Sequence, residues 1–407
     1  MTALVPSQPT ISNIHRITYQ IDQSSTVRDE LYTGNLGVAL YYFYLSQLAY
    51  HPEAKVKSEE VIEPVLTKLS NGQSKLTRYI ALSRGLAGLA WCLHILYAEG
   101  WMQYDVPSWV RPIDRSISRV ILHYIEQGDL DFMHSSIGAL AYLTDRLDSS
   151  PELESTLEAC ALALHERFTR CGNNEYIRNE YMHKRYQTSH PHDVNLSLSH
   201  GLCSILLVLL QMYEKGISQA AIADMVEQSI TFIKSRLRIR NFAENRLSAF
   251  PSNIVTTLPD DHQQNQAFYT QRMGWCYGDL NQVLLLYKAG NIFNREDWID
   301  TADQIGSFPL QRCSYENTGI NDAYLCHGTS GVAQFYKALY RVSGKQQYIL
   351  QYHYWLQQTN ERLDRAFTSN ETTNYASGFL EGLSGVGLVL LSQTSEISQW
   401  EKLMLLY

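Results

Sequence analysis

Two cysteines and two histidines stand at matching places beside a recurring glycine. Cys276 lies two residues before Gly278, and Cys326 lies two before Gly328. His327 and His200 each lie one residue before a glycine, Gly328 and Gly201, and Tyr277 holds the same place before Gly278. Two thiols and an imidazole, here Cys276, Cys326 and His327, make a zinc site with three protein ligands. Three ligands leave a fourth position open, the pattern of catalytic rather than structural zinc. His134 occupies the place of His200 in a further copy, before Ser135, and lines the same region; Asp131 precedes that copy by four residues. A lone rim carboxylate is usually just solvated. His190-Pro-His192 competes as a metal site by its spacing, but it lies in a polar insertion without a thiol or carboxylate constellation, and it reads as a solvated loop. Cys92, Cys160, Cys171, Cys203 and Cys313 stand outside this pattern and read as core or incidental thiols.

The elements that must position these residues come from a repeat. The motif occurs seven times, as Gly34-Asn-Leu-Gly37, Gly85-Leu-Ala-Gly88, Ser135-Ser-Ile-Gly138, Gly201-Leu-Cys-Ser204, Gly278-Asp-Leu-Asn281, Gly328-Thr-Ser-Gly331 and Gly382-Leu-Ser-Gly385. Its steps are 51, 50, 66, 77, 50 and 54 residues, and about 50 residues make one helical hairpin with its turns. Apolar runs follow the motif, such as Val38–Leu45 and Ile205–Leu210, as a helix buried on every side requires. Between them lie one-sided stripes: Ile11, Ile14, Ile17 and Ile21; Val61, Val65, Leu66 and Leu69; Ile113, Ile117, Val120, Ile121 and Tyr124; Ile222, Val226, Ile230 and Ile233. These are amphipathic helices with one wet face. The expected fold is all-α, an α/α toroid of seven hairpins with inner and outer rings of seven helices, closed because an open stack would expose its last buried helix. Residues 1–407 form one domain in this reading. Small residues at the motif allow inner helices to start close together. Equivalent places in a ring converge, so the chemistry gathers at the N-terminal ends of the inner helices. The two long steps mark polar insertions, roughly 171–194 and 240–274, expected to drape over that same end.

Composition excludes several classes. The 407 residues are 45% hydrophobic, ordinary for a globular protein,. Lysine and arginine total 33 against 41 acidic residues, so the basic surplus of a nucleic-acid binder is absent. No run approaches the ~20 apolar residues of a membrane helix, and the first residues lack the pattern of a secretory signal. Seven cysteines scattered along the chain do not read as a disulfide framework. A cytoplasmic protein is expected.

The segments Arg272-Met-Gly-Trp-Cys-Tyr-Gly278, Leu325-Cys-His-Gly328 and Asn195-Leu-Ser-Leu-Ser-His-Gly201 resemble the lanthionine synthetase C-like family, the zinc-dependent lanthipeptide cyclases. All seven motifs appear in order, so the resemblance covers nearly the whole chain. It implies a seven-hairpin α/α toroid, zinc on Cys276, Cys326 and His327, and catalytic or cavity roles for His200, Tyr277, Arg272, Trp275 and Asp131. The reaction it implies is addition of a peptide cysteine to dehydroalanine or dehydrobutyrine, closing a thioether ring. His200 would protonate the enolate that addition leaves; Arg272 either steadies the negative charge or ties down the insertion before it. The implied partner is a dehydrated precursor peptide, with room for a dehydratase and an exporter in a membrane-associated complex. Alternatives are a relative that binds glutathione or other thiols without cyclising, and a zinc-dependent thiol transferase of the prenyltransferase type. Ser135, Ser204 and Asn281 depart from the glycine pattern, which puts packing at those motifs in question.

Overall fold

Each of the seven motifs opens a helix, and each helix begins one residue after the motif's first position. The computed structural model describes residues 7–24, 28–48, 51–100, 106–171, 173–187, 193–241, 243–256, 266–368, 377–394 and 399–407. The motif-led helices are Asn35–Ser46, Leu86–Ala98, Ser136–Arg146, Leu202–Glu214, Asp279–Phe293, Thr329–Ser343 and Leu383–Leu391. Nearly every side chain in them is buried, as in the unbroken run 36–45. The intervening helices bury one stripe: Ile14, Ile17 and Ile21 on Gln8–Gln23, and Ile222, Val226, Ile230 and Ile233 on Gln219–Ser235. On helix Ala54–Ser70 the buried stripe runs through Ser58, Ile62 and Val65 rather than the expected Val61, Val65, Leu66 and Leu69, and Val120 on Val106–Glu126 is exposed.

The glycines act on their own hairpin more than on a neighbouring helix, a correction to the expectation. A Cβ on Gly88, Gly331 or Gly385 would collide with the carbonyl oxygen six residues earlier, that of Leu82, Leu325 or Phe379. The chain folds back over the helix start at that point. The turn also supplies the partners that helix-opening N–H groups lack within the helix. Asn35, Leu86 and Thr329 donate to the carbonyls of Arg28, Tyr79 and Asp322, each seven residues earlier, at 2.9, 2.9 and 3.1 Å. Neighbouring motifs also approach: a Cβ on Gly37 would stand 2.7 Å from that of Phe379. Only Gly278 has a positive φ among the motif glycines, 126°, which disfavours any side chain there.

Chain contacts gather into two compact units, residues 1–113 with 320–407, and residues 114–319. In the first, the motif-led helices pack in series, Thr329–Ser343 on Leu383–Leu391, that on Asn35–Ser46, and that on Leu86–Ala98. The two ends of the chain meet here. Helix Gln8–Gln23 packs on Gln346–Thr368 and Leu383–Leu391, and the buried Asn13 amide donates to Asn360 Oδ1 at 3.1 Å. In the second unit, Ser136–Arg146 packs on Leu202–Glu214 and that on Asp279–Phe293. The insertions are more ordered than polar loops. Strands β1 (Asp193–Asn195), β2 (Asn253–Val255) and β3 (Gln266–Phe268) form an antiparallel sheet in that order. Val194 and Ile254 face each other across β1 and β2, both buried. Strands of three residues carry too little alternation to register as strands in the sequence.

Candidate functional site

The three residues before each motif glycine have fixed characters. The residue three before it is always large, apolar and fully buried: Leu31, Leu82, Phe132, Leu198, Trp275, Leu325 and Phe379. The next is buried too, and there Cys276 and Cys326 are 5% and 7% exposed. The last stands at the surface of the turn and is partly accessible in His134, His200, Tyr277 and His327. Sequence spacing therefore sorts these side chains by depth. Trp275 falls on the wedge position, 0% exposed and 6.5 Å from the Phe132 ring.

In the second unit, Asp131 and His200 form a pair. His200 Nδ1 lies 2.9 Å from Asp131 Oδ2, and the ionised carboxylate accepts, so Nδ1 carries the proton and Nε2 is left for chemistry. Asp131 is wholly buried, and its other oxygen accepts the His134 backbone N–H at 2.8 Å. Burial alone would raise this carboxyl, but the His200 charge and hydrogen bond outweigh it and hold it below the usual carboxylate range,. Burial pulls His200 the other way, and again loses: the Asp131 charge and hydrogen bond, with the nearby Cys276, raise the imidazole above its ordinary value. The His134 ring stacks on His200, centroids 5.6 Å apart. Asp131, His134 and His200 offer their ligand atoms within 4.8 Å of one another.

Asn179, which sequence reasoning missed, holds this pair in place. Its amide donates to Asp131 Oδ2 at 3.1 Å and to the His200 carbonyl at 2.8 Å. Its oxygen accepts the N–H groups of Leu130 and Tyr181 at 3.1 and 3.0 Å. The first insertion therefore braces the pair. His190 and His192, in the same insertion, lie outside the described residues. A second missed residue is Asn195 at the end of β1, which donates to the Tyr277 hydroxyl at 3.0 Å. Burial raises Tyr277 above its usual value, and hydrogen bonds from Asn195 and Ser197 only partly offset this.

Asn281, the departure from glycine, binds the fourth and fifth motif loops together. It accepts from Leu198 N–H at 3.1 Å and donates to the Trp275 carbonyl at 3.0 Å. Ser204 closes on the Gly201 carbonyl at 2.8 Å. The second insertion is held by Asp279, which accepts the N–H groups of Ala249 and Phe250 at 2.8 and 3.1 Å, and by buried Arg312, which donates to the carbonyls of Asn317, Leu247 and Gln271. Arg272 is exposed, and among the described residues no carboxylate pairs with its guanidinium.

In the first unit, Cys326 is fixed by its backbone, which donates to the Leu380 carbonyl at 3.1 Å. His327 Nε2 faces Asp322 Oδ2 at 3.4 Å, with Nδ1 turned elsewhere, 3.9 Å from Glu381 Oε1. A carboxylate behind one ring nitrogen is the usual support for an imidazole that ligates through the other. The donors suit zinc: soft sulfur and imidazole, nearly dry. Cys276 is carried by the second unit, Cys326 and His327 by the first. Buried Cys92 and Cys203 have thiols pushed upward by burial alone, as core cysteines do.

Glycine-led helices alternating with amphipathic ones, with thiols and imidazoles at their turns, define a helical repeat protein built around polar chemistry at the helix starts. The chain belongs to the lanthionine synthetase C-like family, whose model matches residues 25–405. It is 24% identical to the nisin biosynthesis protein NisC of Lactococcus lactis subsp. lactis, over 97% of this chain and 95% of that protein. A solved nisin cyclase matches with a TM-score of 0.77 at 21% identity, over 98% of both chains. The fold is thus the α/α toroid expected from the motifs. Among the described residues, no helix is long and apolar enough to cross a membrane.

Proposed function

We propose that this protein is a lanthipeptide cyclase, joining peptide cysteines to dehydroalanine or dehydrobutyrine as thioether rings. Membership of the family over residues 25–405 carries the reading, and the Asp131–His200 pair supplies the proton chemistry it needs. Cys276, Cys326 and His327 are the residues to hold zinc, with Asp322 behind His327. Bound there, zinc would keep the incoming cysteine as a thiolate at neutral pH and, with two protein thiolates already on it, leave that sulfur electron-rich.

The remaining steps belong to side chains of this chain. Addition of sulfur to the unsaturated β-carbon shifts the electron pair onto the peptide carbonyl, and the α-carbon then needs a proton. His200 gives it from Nε2, while Asp131 holds the charged ring and Asn179 holds Asp131. The proton returns from the substrate thiol, so the peptide keeps its mass. Arg272, exposed and with no carboxylate partner among the described residues, is the cation for the developing negative charge. Tyr277, set by Asn195, lines the approach. Trp275 packs, as its six counterparts do.

The substrate is a precursor dehydrated by a separate enzyme, and assembly with that dehydratase and an exporter is part of the proposal. None of the seven cysteines is in a disulfide, which suits the cytoplasm. The test uses zinc-loaded protein and a dehydrated precursor. Cysteines should become resistant to alkylation at unchanged peptide mass, faster than without protein. Cysteines that remain fully alkylatable would overturn the reading.

A further inference from the structure

The first unit contains a cavity of about 640 Å³ between the turn before Gly328 and the end of helix Gln346–Thr368. Asn321, Asp322 and Tyr324 form one wall, Arg362 and Arg365 the other, and Leu383 the floor. The size suits a small ligand or a few residues of a peptide. Its charge is unusual. Burial first, and then the neighbouring Arg365 charge, lower the Arg362 guanidinium below its usual value, with Asp322 offsetting this only in part.

Among the described residues, the carboxylates near them have hydrogen-bond or ion-pair partners other than these two arginines. Glu361 accepts from the Gln357 and Gln358 amides at 2.9 and 3.1 Å. Asp364 pairs with Arg16 at 2.8 Å. Asp322 accepts the Tyr324 N–H at 2.8 Å and faces His327 at 3.4 Å. Among the described residues the arginines hydrogen-bond only to carbonyls: Arg362 Nη2 donates to Ile320 at 3.0 Å, and Arg365 Nε to Glu361 at 3.2 Å. Arg362 Nε is buried without an acceptor. Among the described residues neither guanidinium has a carboxylate within ion-pair distance, and Asp322 acts on Arg362 only from farther off, so two neighbouring guanidiniums, one with an unused buried donor, form a fork for a carboxylate.

We propose that this cavity is a substrate subsite in which Arg362 and Arg365 grip a carboxylate of the peptide, beside the candidate metal ligand His327. The assignment of a peptide as ligand rests on the cyclase reading; the carboxylate preference does not. An acidic side chain and a free C-terminus offer the same group, so the probes separate them. Three fluorescein-labelled alanine-rich hexapeptides serve: one with a central glutamate and an amidated end, one with glutamine and an amidated end, one with glutamine and a free carboxyl end. Anisotropy titrations use zinc-loaded protein at low salt.

One or both carboxylate peptides should bind about tenfold more tightly than the neutral one, the contribution of a charge-assisted pair. That preference should vanish in Arg365→Gln, an exposed position where folding is safe, and in Arg362→Gln, with zinc content unchanged in both. Equal binding of all three peptides overturns the proposal, as does no binding or a preference that survives both substitutions. A preference that behaves as expected in a protein unable to cyclise would keep the subsite and discard the cyclase reading.

Discussion

Asp131→Asn removes one charge and one acceptor from a place where three donors meet. The carboxylate receives the His200 ring at 2.9 Å, the His134 backbone at 2.8 Å and the Asn179 amide at 3.1 Å. An amide of the same shape has one acceptor oxygen. With that oxygen on the His134 N–H, its NH2 group faces two other donors. The His200 proton must then move from Nδ1 to Nε2 for Nδ1 to accept, and the charged ring loses its counter-charge. Two charge-assisted bonds of about 1.5–3 kcal/mol each give way to one neutral bond of about 1 kcal/mol, a net loss of about 2–5 kcal/mol. At about 1.4 kcal/mol per factor of ten, cyclisation should slow by roughly 30- to 4,000-fold where this loss falls on the transition state. Initial rates on zinc-loaded protein, with the ring ¹⁵N shifts of His200, measure both effects. The folded Asp131 carboxyl lies below its ordinary value. Its contribution to stability is therefore complete above about pH 4 and is lost as pH falls through the folded value, so the Asn variant should show a shallower fall of Tm in acid. A variant that cyclises near the parent rate with the proton still on Nδ1 would refute the reasoning.

Three further outcomes are expected. The purified protein should hold one zinc per chain, and alanine at Cys276, Cys326 or His327 should sharply reduce it by elemental analysis; zinc undiminished in all three would contradict the ligand set. His200→Ala should retain zinc and peptide binding yet slow cyclisation by about 10²–10⁴-fold, and His200→Asn should behave alike; loss of zinc would make His200 a ligand instead. Trp275→Leu, which restores the residue found at this place in four other repeats, should lower Tm through a cavity costing about 1–3 kcal/mol and leave kcat within a few-fold; a large kcat loss at unchanged Tm would return Trp275 to catalysis.

Much of the fold was legible because one motif recurs. Buried helices such as Leu202–Glu214 announce themselves by runs no other element tolerates, and the stripe on Gln8–Gln23 needs only period counting. Depth at the turn was legible too, since Cys276 and Cys326 share a register with buried residues. Less visible was why the glycines are there: their close neighbour is a carbonyl six residues earlier, a contact that depends on the turn's path. Asn179 and Asn195 were hidden for a different reason. Each works by reaching across the chain, Asn179 to Asp131 and Asn195 to Tyr277; the polar insertion around Asn179 carries no period that would mark it, and the place of Asn195 at the head of its motif does not tell which side chain it meets.

Cyclisation in deuterium oxide reports on ring closure and proton delivery together. Each ring formed by sulfur addition must take one hydrogen from an exchangeable acid onto the α-carbon of the former dehydro residue. With a positioned His200 delivering it to one face, every ring should carry one non-exchangeable deuterium at that carbon in a single configuration, read by mass spectrometry and chiral analysis of the hydrolysed peptide. Rings lacking the deuterium, or rings carrying it equally in both configurations at the protein-dependent rate, would contradict the mechanism built on Asp131 and His200.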